Sequence, residues 1–590
     1  MQWWGHMRIS NLLFSITKKV VAEAVNSNTA VCNSYSNALS LSRREFCKML
    51  AAISLAAIIT PLMSAYSHAR QGRLPLFNPD GPNNKIFILG SGITGLCAGA
   101  LLAKIGYKVH VLEAHPTLLG GHARSFESNG LRFCAGPQYV WDFGNDGTGV
   151  GNRILRFLGV SDDIPFDSMN KEAFEHLHLG NEPAVVVPMG MDKFKQAIIG
   201  RFPEEYERVS EFFNCIDLLS RGSKFIYDEG LYLKGWSQMR NAILLSSKFS
   251  VKEKWQLRKM GDWTLSDLYD HCQLSEKARR LLYAHGGMFV ENESSVSVGV
   301  YAAGTERYHA GAFYPRYGFK SLIDGLSSVI VKFGGMVEKG KKVTKITLQN
   351  GKIDHLETNG GNIYEPYYVI STMTPRMVCK LIDACNSENF IYSPSNSITG
   401  LYIGVHDYPA ITQKLAGKNY WWQAGTRAVD FDNPDMTEEP EFLYVSSPTA
   451  NGNGYIQRNN AIQSLVVFIP GNFNQAHHTW RQGKDAYESL KSRLAERILN
   501  KLENMWFTDL RQHLIFTECL TPLDLYQMIG AERGNAYGRK QNVSNVLQEV
   551  PPIPGIDNLE FACATVGLPG IATAFQTARI LVERLSGISI

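Results

Sequence analysis

From residue 85 onward, apolar and polar positions follow two distinct rhythms. Residues 85–89 (KIFIL) form a short, almost wholly apolar run that reads as a strand. After a glycine-rich turn, residues 96–105 (LCAGALLAKI) carry apolar side chains at helical spacing, and Gly106 closes that helix. Residues 108–112 (KVHVL) return to a two-residue alternation and end on Glu113. Further along, Leu322, Ile323, Leu326, Val329 and Ile330 share one face of a helix expected over 319–333, which Gly334-Gly335 terminates. Strand-like residues 343–348 and 352–358 flank Asn350-Gly351, a strong hairpin signal, and a third strand is expected at 367–372. Residues 203–219 read as helix; 401–405 and 464–469 read as strands.

Composition narrows the class. Of 590 residues, 44% are hydrophobic, enough for a large core and too long a chain for one ordinary domain. The net charge of +4 and the lack of any basic run of five argue against a nucleic-acid partner. Ten cysteines include no CxxC, so they read as scattered buried thiols, not a disulfide framework or a zinc site. His477-His478 reads as a solvated pair in a polar loop, and no metal is expected. Hydrolase, P-loop and HExxH motifs are absent.

The turn after the first strand carries the chemistry. Gly90, Ser91, Gly92, Ile93, Thr94 and Gly95 spell G-x-G-x-x-G between a strand and a helix. Gly90 permits a tight turn, Gly92 lets the backbone approach a pyrophosphate, and Gly95 lets helix and strand pack closely. The helix N-terminus aims bare N–H groups at the phosphates. Glu113, eighteen positions past Gly95, stands where an acid accepts hydrogen bonds from ribose hydroxyls. No second fingerprint follows; Asn451 to Gly454 (NGNG) has the wrong spacing and reads as a loop. One dinucleotide site is therefore expected, and Glu113 alone suits NAD and FAD equally.

Residues 116–140 (PTLLGGHARSFESNGLRFCAGPQYV) resemble the segment after the ribose acid in the flavin amine oxidase and phytoene desaturase superfamily. The resemblance implies FAD. It implies that Gly120, Gly121 and Arg124 contact the diphosphate, with His122 where the family has its first arginine, and that Gly136 and Pro137 of an Ala-Gly-Pro turn lie near the isoalloxazine ring. Residues 314–375 resemble the family's second flavin block, in which Val343 holds the adenine through its backbone. Residues 554–585 resemble the closing block, with Gly570 opening a helix; Ala562-Cys563-Ala564 lacks the family's usual acid.

The expected fold class is α/β: an FAD-binding Rossmann-like domain assembled from three chain segments (82–155, 299–375 and 526–590), plus an inserted α+β substrate domain (156–298 and 376–525). The expected activity is hydride transfer between an apolar, polyene-like substrate and flavin N5, with oxygen or a quinone as electron acceptor. The A-G-P turn and the Y-P-x-x-G segment at 314–318 resemble the carotenoid and retinoid branch, and Tyr420, Trp421 and Trp422 are candidates for an apolar tunnel or for core. An amine or amino-acid oxidase, with Lys380 near the flavin, is the alternative; a non-catalytic flavin- or lipid-binding protein is a second. No catalytic residue is assigned.

Before this region, residues 49–63 form an apolar run of about fifteen residues containing Pro61. A spanning helix needs ~20 apolar residues, whereas a signal-peptide core of ~7–15 fits. Ser42-Arg43-Arg44-Glu45-Phe46-Cys47-Lys48 resembles the twin-arginine export signal, and Ser67-His68-Ala69 offers a cleavage site. Residues 1–69 are thus expected to be a leader and signal that engages the twin-arginine translocase, giving a periplasmic or extracytoplasmic protein, with peripheral membrane contact. That route carries folded, cofactor-loaded cargo. Replacing Arg43 and Arg44 by lysine is expected to hold the precursor in the cytoplasm, still loaded; cell fractionation checks this, and normal export of the double variant would refute the signal.

Overall fold

The computed structural model describes residues 85–144, 149–228, 248–383, 385–406, 408–425, 427–452, 462–547, 550, 552–567 and 569–590. The leader and paired arginines lie outside them. No helix among the described residues is long and apolar enough to cross a membrane.

The first strand, Lys85–Leu89, is buried at every residue but the first. It pairs in parallel with Lys108–Leu112 on one side and Tyr368–Ser371 on the other. Leu559–Phe561 and Met336–Glu338 extend this sheet to five parallel strands. A single sheet thus draws its strands from three distant parts of the chain. The helix Ile93–Lys104 buries all but its last residue. It packs between the helices Phe319–Lys332 and Ile571–Ser586 on one face of the sheet. The other face is covered by an antiparallel meander, Val343–Gln349, Lys352–Thr358 and Ile363–Tyr364, whose Ile346, Ile353 and Leu356 pack with Phe87, Leu89 and Val369. Each such fully buried aliphatic side chain contributes roughly 1.5–3 kcal/mol.

Two sequence expectations change here. The third strand after the Asn-Gly turn is Ile363–Tyr364; the stronger apolar run, Tyr368–Ser371, leaves the meander for the parallel sheet. All four of its residues are buried, which only a central strand requires. Cys379 and Cys385 form a disulfide, while the six other described cysteines are free and buried. The pairing closes a short loop after the helix Pro375–Cys379, and no sequence spacing announced it.

A second sheet has seven strands, in the order Leu514–Leu520, Ser397–His406, Ile462–Gly471, Phe442–Ser446, Asn419–Gln423, Glu175–Leu179 and Val185–Val187. One face, with Leu401, Ile403, Val445, Val467, Tyr420 and Trp422, packs on the helix Lys484–Met505. The opposite face carries Tyr402, Val466, Tyr444 and Trp421. Helices Tyr206–Asp228, Leu265–Cys272 and Val298–Ala310 enclose the Glu175–Leu179 end of that face. His477 and His478 lie in the helix Phe473–Arg481, not in a loop, and the His477 ring stacks on Phe473.

Glycine is required where helix meets sheet. A Cβ on Gly95 would stand 2.5 Å from Thr372 Cγ2 and 2.9 Å from the Gly90 carbonyl oxygen. Gly95→Ala is expected to destabilise the fold by about 1–3 kcal/mol through overpacking. The denaturant midpoint measures it; an unchanged midpoint would show that the helix shifts without cost.

Candidate functional site

The parallel sheet delivers Gly90 at φ +93°, and a Cβ there would collide with Thr372 Oγ1 at 2.3 Å. Ser91 is fully buried and donates its N–H to Glu113 Oε2 at 2.9 Å, its hydroxyl pointing to the same oxygen. Gly92 caps the helix Ile93–Lys104 with no side chain, and the first turn holds no acid. Ile93, Thr94 and Gly95 are buried there, and as the first residues of the helix their N–H groups have no intrahelical partners. Gly120 (φ +113°) bridges Gly92, and a Cβ on Gly121 would lie 3.1 Å from Gly92 Cα. Two glycine backbones in contact form the cradle that a pyrophosphate needs.

Glu113 is 6% exposed. Its Oε1 accepts from His115 N at 2.7 Å and from Arg124 Nη2 at 3.3 Å. Arg124 is 1% exposed. Its Nη1 donates to the Met528 carbonyl, and its Nε makes no hydrogen bond to any described residue. Burial lowers the Arg124 pKa, and Glu113 opposes that shift. The His122 ring nitrogen Nε2 lies 2.8 Å from the Asn535 carbonyl, so it carries the proton of that bond. Although the residue is exposed overall, desolvation of the ring against the Asn535 loop and the nearby Arg124 charge hold the His122 pKa below the ordinary imidazole value, which favours the neutral ring. The exchanged position thus ties the loop to the 526–590 segment and offers no fixed charge.

The Ala135-Gly136-Pro137 turn sits against the same loop; a Cβ on Gly136 would stand 2.8 Å from the His122 carbonyl oxygen. Gln138 donates to the Cys134 and Gly136 carbonyls, and its Oε1 is buried without a partner among the described residues. Val343, on the meander edge, follows Lys341, whose N–H donates to the Glu113 carbonyl. Gly570 (φ +103°) opens the helix Ile571–Ser586, again without a side-chain cap. A Cβ on it would lie 3.2 Å from the Trp141 ring, whose Nε1 is buried and bonds no described residue. The expected residues of the first segment therefore meet directly. Val343 stands two residues beyond Lys341, which bonds the Glu113 carbonyl, and Gly570 lies against Trp141. Ala562-Cys563-Ala564 supplies no carboxylate; Ala562 N–H bonds the Ser371 carbonyl.

Sequence reading missed the surface facing this turn. Tyr402 donates its hydroxyl to the Ala135 carbonyl at 2.8 Å and so fixes which face of the seven-stranded sheet looks at the turn. On that face, register aligns Gly400, Phe468, Tyr444, Trp421 and Leu177 in one row. Phe468 stacks on Tyr444 at 5.8 Å, and the Trp421 ring lies 4.5 Å from Tyr444. Tyr139, two residues past Pro137, packs 6.3 Å from Tyr444 and 4.8 Å from Tyr308. Of the three aromatics singled out at 420–422, Trp421 alone faces the turn; the strand's alternation sends Tyr420 and Trp422 to the other core.

One polar chain crosses this aromatic wall. Tyr444 donates to Asn419 Oδ1 at 3.0 Å, and Asn419 Nδ2 donates to Glu175 Oε1 at 3.1 Å. Glu175 Oε2 stands 3.8 Å from His285 Nε2. Burial drives the Glu175 pKa far up and the His285 pKa down to about 3. Both are therefore neutral at neutral pH, and the contact is not an ion pair. Asn419 lies 244 positions from Glu175, so no local signal pointed to this chain. Lys380, by contrast, is exposed in a cleft with Arg376, Glu388, Tyr392 and Asn545, none of them part of the glycine turn.

Comparison with known proteins agrees with this geometry. Residues 88–155 match the NAD(P)-binding Rossmann-like domain family. The chain is 24% identical over 524 residues to all-trans-retinol 13,14-reductase of Rattus norvegicus, covering 82% of this chain and 83% of that protein. It is 22% identical over 468 residues to 4,4'-diapolycopene oxygenase of Methylomonas sp, covering 77% and 88%. Cyclohexylamine oxidase from Brevibacterium oxydans shares the fold, with a TM-score of 0.53 at 14% identity over 85% of this chain and 100% of that one. The fold is that of the FAD-type oxidoreductases. The chain is an enzyme of the oxidoreductase class.

Glu113→Ala is expected to weaken dinucleotide binding by one to two orders of magnitude, since a hydrogen bond to a charged group is worth roughly 1.5–3 kcal/mol. Retention of bound dinucleotide on dilution measures it; full retention would remove Glu113 from the site.

Proposed function

We propose that this protein is an FAD-dependent oxidoreductase acting on a largely apolar, unsaturated substrate, and that the 1–69 segment exports it through the twin-arginine route. When bound, the flavin supplies hydride transfer at N5. The chain's own residues fit it. Two uncapped helix N-termini, at Gly92 and Gly570, favour its phosphates and ring oxygens. Gly120, Gly121 and Arg124 would hold its diphosphate, Glu113 its ribose hydroxyls, and the Val343 backbone its adenine. Arg124 Nε and Gln138 Oε1 are buried polar atoms with bonding capacity to spare.

The observation that carries the substrate class is the aromatic row Phe468–Tyr444–Trp421 facing the Ala135–Pro137 turn. Apolar substrate surface removed from water there gains ~25 cal/mol per Å². Support also comes from the names of two relatives, one acting on retinol and one on diapolycopene. The amine reading draws on the cyclohexylamine oxidase fold, but Lys380, its candidate residue, stands in a surface cleft. With one dinucleotide fingerprint and an extracytoplasmic location, oxygen or a membrane quinone is the fitting electron acceptor.

Purified protein is expected to show the absorbance bands of non-covalent FAD. Mixed anaerobically, oxidised or dithionite-reduced enzyme should exchange electrons with retinoids or carotenoids, followed at the flavin band. A protein that stays colourless after refolding with FAD would refute the flavin assignment. Rapid bleaching by an amine, lost in Lys380→Met, would replace the polyene reading with the amine oxidase one.

A further inference from the structure

Away from the flavin turn, the helical lobe brings three different metal-binding side chains together. Glu211 and Cys215 lie one turn apart on the helix Tyr206–Asp228. His271 is on the helix Leu265–Cys272, which packs against it. The carboxylate oxygen, the thiol sulfur and the ring nitrogen all lie within 4.8 Å of one another. Cys272, next to His271 at the end of that helix, is a second buried free thiol. Both sulfurs belong to buried residues, whereas Glu211 and His271 are exposed, so the group is walled by core on one side and open to solvent on the other.

We propose that Glu211, Cys215, His271 and Cys272 form a zinc-class metal site that clips these two helices together. Two thiolates, an imidazole and a carboxylate are the ligand types that Zn²⁺ takes in four-coordinate sites. Around a tetrahedral ion with bonds of about 2.0–2.3 Å, ligand atoms stand roughly 3.3–3.8 Å apart. For Glu211, Cys215 and His271 the present spacing needs side-chain movement of about an ångström, which the exposed Glu211 and His271 can make, and the adjacent Cys272 would turn in as the fourth ligand. The His271 ring packs 5.1 Å from Trp263, which holds it on the side of the cluster. Cys215 Sγ already points at Glu211 Oε1, 3.8 Å away. On binding, each thiol loses its proton to solvent and the ion takes the sulfur lone pair, so affinity rises with pH. The ligands come from positions 211–215 and 271–272, which explains why no CxxC spacing announced the site.

The test uses the full-length, flavin-loaded protein, reduced and freed of metal by chelator, with Zn²⁺ as the probe. About one zinc per chain is expected by elemental analysis, with sulfur ligands in the X-ray absorption spectrum. His271→Ala changes an exposed side chain and leaves the core intact. It is expected to weaken zinc at least about tenfold, the lower bound for loosening even an outer-sphere partner. Cys215→Ser with Cys272→Ser should abolish uptake, while flavin content, read at its absorbance band, stays unchanged. Reduced protein that binds no stoichiometric zinc overturns the proposal. So does His271→Ala binding zinc as tightly as the parent. A Cys215–Cys272 disulfide in the isolated protein, with zinc still excluded after reduction, overturns it in favour of a second structural disulfide.

Discussion

The buried Glu113–Arg124 pair is the contact on which the rest of the site hangs. Glu113 receives the Ser91 backbone and hydroxyl from the glycine turn and the Arg124 guanidinium from the next loop. Its own N–H bonds the Glu338 carbonyl in the second flavin-type segment, and Arg124 reaches the Met528 carbonyl in the third. One ionic centre thus ties together backbone from residues 91, 338 and 528. Breaking a buried pair by removing one partner costs roughly 3–5 kcal/mol, because the other charge is left without compensation. The pair therefore also fixes where the three segments meet.

The seven-stranded sheet solves a second problem with the same economy. Its strands bury both faces, yet alternation lets each face serve a different purpose. One face is an aliphatic core under the helix Lys484–Met505. The other presents an aromatic row to the turn, anchored by the Tyr402–Ala135 hydrogen bond. Glu175 and Asn419 interrupt that wall with a polar chain, and burial keeps Glu175 neutral. A neutral acid costs far less to bury than a carboxylate, which is how the lobe tolerates it.

Much of the dinucleotide half was legible because its signals are local. Gly90, Gly92 and Gly95 answer to backbone geometry within one turn, and the strand Lys85–Leu89 and helix Phe319–Lys332 follow from apolar spacing. The helix after the turn begins at Ile93, earlier than the apolar pattern alone indicated, because Gly92 serves as its cap. The aromatic face of the seven-stranded sheet was not legible. Glu175 and His176 look alike as polar positions in a short strand, and only the register with Asn419 turns Glu175 toward the aromatic wall. The fate of Tyr368–Ser371 was likewise open until Lys85–Leu89 and Leu559–Phe561 closed on its two edges.

What the sequence by itself determined is the set of short-range devices: the glycine turn, the acid that ends the second strand, the hairpin at Asn350-Gly351 and the amphipathic helices. Each depends on steric and hydrogen-bonding rules that act within a few residues. Tertiary structure alone decided the Cys379–Cys385 disulfide, the tie of His122 to Asn535, the surface position of Lys380 and the meeting of Glu211, Cys215 and His271. These depend on helix packing, loop paths and strand register, which fix side-chain neighbours only once the whole core has closed.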